Sequence, residues 1–133
     1  MANVAGRVLG TMIVYGFPRV RLDADLDLAQ WMGAEVLEVL PLWKDLPDPP
    51  GLRRAVADRG LILHSAHGCW GGMSILAPRV DLGSTDPAVH EASVDDLRRC
   101  VDWLAEAGGR VLVIHPGGLS DPDEGDARRD ALG

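Results

Sequence analysis

Four short apolar runs rich in β-branched residues, at positions 7–14 (RVLGTMIV), 35–40, 61–66 and 110–115, are separated each time by a segment of helical character. No other feature constrains the chain as strongly. A tight hairpin joins antiparallel neighbours, so the order strand, helix, strand, helix requires parallel strands linked by right-handed crossovers. The expected class is α/β. It fits in one domain, because 133 residues suffice for a core that removes about two-thirds of the unfolded chain's surface from water.

Turn and cap signals place the elements within that order. Tyr15, Gly16, Phe17 and Pro18 end the first run. Asp25 is expected to cap a brief helix through Leu28, Ala29 and Met32, with Gly33 at the left-handed position after its end. Pro47, Pro49 and Pro50 punctuate the next loop, after which Leu52, Ala55 and Val56 form one helical face that stops at Gly60. Asp86 followed by Pro87 marks the clearest helix start in the chain. Val94, Leu97, Val101 and Leu104 then repeat at helical spacing, Cys100 and Ala107 widen the stripe, and Gly108 and Gly109 stop it. A loop is expected over residues 67–85 and another from Gly117 and Gly118 through the acidic stretch 121–126, with a fourth helix beginning in 127–132.

Hydrophobic residues make up 47% and charged residues 25% of the chain, the balance of a folded, water-soluble protein, which disfavours disorder, collagen and coiled coil. Twenty acidic side chains against thirteen basic ones leave a net charge of -7. Nothing in that field holds a phosphate backbone, so nucleic acid is not an expected partner. The apolar stretch at residues 8–14 is interrupted by Gly10 and Thr11 and is too short to span a bilayer. Cys69 and Cys100 show neither a paired-thiol nor a zinc-ribbon spacing and read as reduced thiols of a cytoplasmic protein.

In parallel α/β folds reactive groups gather where strands end and loops begin. The first strand end offers Tyr15, the second Glu38 followed by Pro41 and Trp43, the third His64 and His67, the fourth His115 followed by Pro116 and Gly117. Alternation puts Leu63, Ser65 and His67 on one face of the third strand, and Val111, Val113 and His115 on one face of the fourth. His67 and His115 then point into one cavity. Two imidazoles so placed either begin a divalent-metal site, completed by carboxylates, or stand as hydrogen-bonded rim residues. Glu38 shares a face with Val36 and Leu40, where a carboxylate needs either a functional role or a salt bridge to a neighbouring Arg. Trp70, in the loop Gly68, Cys69, Trp70, Gly71, Gly72, offers an apolar wall. Tyr15, Glu38 and Trp70 are therefore the candidate substrate contacts and His67 and His115 the candidate metal ligands. His64 reads as structural and Cys69 as inert. The acidic stretch lacks the glycine register and terminal glutamate of a calcium loop, and neither a Gly-x-Ser-x-Gly elbow nor a Gly-x-Gly-x-x-Gly fingerprint occurs.

The strand and loop LILHSAHG, the amphipathic spacer that follows, and VLVIHPGG together resemble the first half of the xylose isomerase-like TIM-barrel superfamily, which includes sugar phosphate isomerases and epimerases and endonuclease IV. The resemblance implies four parallel βα units over residues 1–133, half of a (β/α)8 barrel, stopping within the fourth helix. It also implies a divalent metal (zinc, manganese or magnesium) at the barrel mouth. His67 and His115 match histidines that are metal ligands in endonuclease IV and that more often line the substrate pocket in the isomerase branches. Glu38 resembles the acidic residue ending the second strand.

A complete barrel needs about 250 residues, and the resemblance puts the remaining ligands and the proton-shuttling glutamates on strands five to eight. The implied activity is proton transfer on a hydroxy carbonyl sugar or sugar phosphate, assisted by metal, in the complete barrel; normal turnover by these residues alone is not expected. Two alternatives stand beside it: an endonuclease IV-like phosphodiesterase acting at abasic sites, and a noncatalytic half-barrel that pairs with a second copy. The partner that completes the barrel is thus either a missing C-terminal half or a homodimer mate.

Overall fold

The computed structural model describes residues 7–69 and 80–115. Four parallel strands lie side by side in chain order: β1 (Gly10–Tyr15), β2 (Val36–Pro41), β3 (Ile62–His67) and β4 (Val111–Val113). Between them run α1 (Leu22–Trp31), a 3-10 turn (Trp43–Asp45) with α2 (Pro49–Ala57), and α3 (Pro87–Ala107). The α/β class and the strand–helix order read from the sequence are what the chain adopts. The expected loop residues 116–118, the acidic stretch and the start of a fourth helix lie outside the described residues, as does Trp70 with Gly71 and Gly72.

Burial alternates cleanly along β2, where Leu37, Val39 and Pro41 are covered and Val36, Glu38 and Leu40 are only partly so. The covered side faces the helices. Ile13, Leu37, Val39, Leu63 and Ala66 from the sheet meet Leu26, Leu52, Val56, Leu97 and Leu104 there, in one continuous apolar cluster. The other side of the sheet is the one a closed barrel would turn inward.

Caps explain most boundaries. The Asp86 side chain accepts the Ala88 N–H at 2.9 Å, with Pro87 at the first helical position, as the sequence predicts for α3. At its far end Gly108 takes φ +90°, a left-handed conformation that costs a side-chain-free residue nothing, and its N–H closes onto Leu104 and Ala105 carbonyls. Gly33 plays the expected part after α1 with φ +79°. Asp25 does not cap α1. Arg21 is the N-cap and the helix starts one turn earlier, because Leu22 packs against the core and the backbone follows it; Asp23 and Asp25 instead sit in the first turn, where negative charge suits the helix dipole. Asp23 and Asp27 both bind Arg59, at 3.0 and 2.7 Å, and so tie α1 to the end of α2.

The buried stripe of α3 is rotated from its aliphatic periodicity. Leu97, Cys100, Leu104 and Ala107 are covered as expected, but Val101 is exposed and Trp103 is buried in its place. Trp103 carries the largest area to bury and has a partner waiting. Its ring lies 5.2 Å from that of Trp43 in an edge-on arrangement, and its Nε1–H donates to the Pro47 carbonyl at 2.6 Å.

Candidate functional site

Between Leu37 and Glu38 the pairing of β2 with β3 slips: Leu37 stands opposite Leu63, and Glu38 opposite Ser65. His64 is the extra residue of this bulge. Strict alternation would have kept Leu63, Ser65 and His67 on one face; instead Leu63 enters the helix-facing core, while Ser65 and His67 turn to the side of Glu38. Arg110 N–H donates to the His64 carbonyl at 2.9 Å, so the bulge is held by the start of β4.

Glu38 is bound twice. Ser65 Oγ donates to its Oε2 at 3.1 Å, and His67 Nδ1 lies 2.6 Å from its Oε1. The salt bridge to a neighbouring Arg, left open by the sequence, is replaced by these two contacts, because the bulge brings a hydroxyl and an imidazole nearer. A carboxylate oxygen only accepts, so Nδ1 of His67 is the donor to Glu38, and in the neutral ring Nε2 then presents its lone pair. That lone pair meets His115 Nε2 at 2.9 Å, with the two rings 5.1 Å apart. Without a cation, the Nε2–H of His115 is then the donor across that contact.

His67 is also braced through its backbone. Trp43, fully buried just after β2, donates its Nε1–H to the His67 carbonyl at 2.8 Å. On the other side the Gly68 N–H donates to the Val113 carbonyl, also at 2.8 Å. A Cβ on Gly68 would come within 3.2 Å of that carbonyl and 3.3 Å of Leu97 Cδ2, so a larger residue would push β3 away from β4. Below the histidines the inner face opens into a hollow of about 350 Å³, lined by Met12, Val36, Glu38, His64 and Ser65 among others.

The described residues therefore join three of the sequence candidates, Glu38, His67 and His115, into one hydrogen-bonded line. Tyr15 is elsewhere. Its ring is 6.4 Å from Trp103, its hydroxyl donates to the Asp48 carbonyl at 2.8 Å, and burial together with the Asp48 charge raises its pKa, Arg54 opposing. Ser65 and Trp43 are neighbours of this line that the sequence left unassigned; alternation puts Ser65 on the face of His67, but its place opposite Glu38 needed the bulge, and Trp43 was signalled only by its place just past a strand end.

A metal fits this line in part. Glu38 on Nδ1 of His67 is the arrangement in which a carboxylate orients a metal-binding imidazole, leaving Nε2 for the ion, and His115 Nε2 converges on the same point. Among the described residues no group of three or more His, Cys, Asp or Glu is placed to hold a metal.

A family model for the xylose isomerase-like TIM barrel matches residues 26–132. The chain belongs to that family. A D-psicose 3-epimerase solved in the presence of D-fructose superposes on this xylose isomerase-like chain with a TM-score of 0.59 and 17% identity, over 88% of this chain and 43% of its own. A xylose isomerase-like TIM barrel/4-hydroxyphenylpyruvate dioxygenase fusion protein gives 0.56 and 13%, over 84% and 18%. Comparison with curated proteins gives no match. The chain thus spans less than half the length of either solved structure. No helix among the described residues is long and apolar enough to cross a membrane.

Proposed function

We propose that this chain supplies the first four βα units of a cytoplasmic sugar or sugar phosphate isomerase or epimerase, and that its Glu38–His67–His115 line forms one wall of the reaction site. The observation that carries the reading is the convergence of the two Nε2 atoms, 2.9 Å apart, at the ends of adjacent strands on the open face of the sheet. His67 and His115 would hold a divalent cation there, and Glu38 would fix the tautomer and aim of His67. Such a cation, when bound, polarises the carbonyl and hydroxyl oxygens of a hydroxy carbonyl substrate. Ser65 holds the second carboxylate oxygen of Glu38 and so fixes its orientation toward His67. Trp43 and Gly68 hold the His67 backbone against movement as substrate enters. Carboxylates that move the substrate proton, and the strands that cover the inner face, come from the remaining four units of the barrel.

The test uses the full-length protein that carries these residues. Incubated with manganese and a panel of ketoses and ketose phosphates in deuterated water, it exchanges the proton next to the carbonyl, read by NMR. His67→Ala and His115→Ala each lower the exchange rate and the cation affinity by more than the roughly 10- to 100-fold that follows loss of a group which only orients a metal ligand. Absence of exchange on every substrate, or incision of an abasic-site duplex instead, would overturn the reading.

A further inference from the structure

The chain has two cysteines, 31 positions apart, and the fold brings them together. Cys69 follows β3, two residues past His67, and Cys100 lies on the covered face of α3. Their sulfurs are 3.3 Å apart, both thiols are free, and each residue is about 1% exposed. A disulfide needs the sulfurs about 2 Å apart, so roughly one ångström of side-chain motion would join them. No other thiol exists in the chain to compete.

We infer that Cys69 and Cys100 are a dithiol site that a peroxide converts into an intramolecular disulfide. The inference rests on the sulfur geometry and not on the metal reading above. Either sulfur can donate across the 3.3 Å contact, and the partner that is deprotonated is the one that attacks. With Cys100 in that role, its sulfur takes one oxygen of hydrogen peroxide; the O–O bond breaks, a sulfenic acid forms and the other oxygen leaves as water with the thiol proton. The Cys69 sulfur then attacks the Cys100 sulfur, the S–O bond breaks and a second water leaves. Two thiols are oxidised by two electrons and one peroxide is reduced to two waters. Burial selects the oxidant: a molecule of water's size enters through local opening, whereas glutathione disulfide is too large. The crosslink pins the segment just beyond His67 to α3 and closes a long loop.

Peroxide treatment of the purified protein, followed by intact-mass and peptide mapping, is expected to show the loss of two hydrogens and one peptide joining Cys69 to Cys100. The melting temperature rises by about 10 °C on oxidation and returns with dithiothreitol. Glutathione disulfide under the same conditions leaves both thiols free. Cys100→Ala, and Cys100→Ser should the alanine variant fold poorly, abolish the shift. Two free thiols after peroxide, sulfinic acid at either site, a disulfide between chains or a glutathione adduct would each overturn the inference; the mapping on the unaltered protein reads all four without any variant.

Discussion

On the helix-facing side of the sheet Leu37, Val39 and Ala66 are sealed to 0–1% exposure, whereas on the opposite side Met12 and Ile62 stand 54% and 60% exposed beside a carboxylate and two imidazoles. Among the described residues one face has its partners and the other is open. The first is one continuous hydrophobic core that joins the sheet to the helices. The second carries polar groups beside apolar side chains that the described residues leave exposed. Stability and chemistry are divided between the two sides of the same strands, one residue apart.

The largest effect expected from this contrast is a pair of truncations. Leu37→Ala leaves a cavity in the sealed face and lowers stability by about 3 kcal/mol, while Met12→Ala on the open face changes it by less than about 1 kcal/mol; denaturant unfolding of both variants decides, and equal losses would erase the distinction. Next comes Glu38→Gln, which keeps the volume of the side chain but removes the charge that orients His67. On the metal reading it weakens manganese binding about 10- to 100-fold in a calorimetric titration, with the unfolding midpoint nearly unchanged because the site lies outside the core. The smallest effect tests how α3 covers the sealed face. Val101→Lys is expected to alter stability by no more than about 0.5 kcal/mol, since Val101 is exposed; a loss of 2 kcal/mol or more would mean that the aliphatic stripe, and not the Trp103 side, meets the sheet.

Much of this arrangement is legible in the chain before folding. The Asp86–Pro87 start and Gly108 end of α3 are local, because a cap is satisfied by atoms a few residues away. So is the placing of His67 and His115 at neighbouring strand ends, which follows from strand period and parallel order. The Asp25 cap signal loses to burial of Leu22 against the core, a contact that no local pattern encodes. The bulge at His64 is invisible in a single strand: it exists only as a mismatch between β2 and β3. Trp70 and the last loop stand outside this comparison, since they lie outside the described residues.

What the sequence determined alone is the α/β order, the parallel sheet, and the presence of histidines and a carboxylate at strand ends, all of which depend on periods and caps a few residues long. Tertiary structure alone decided that Glu38 binds Ser65 and His67 rather than an arginine, that Trp43 braces His67, and that Cys69 meets Cys100. Each of those contacts joins residues 24 to 31 positions apart. Their physical cause is register and helix rotation, which are set by how whole elements pack and which no local pattern encodes.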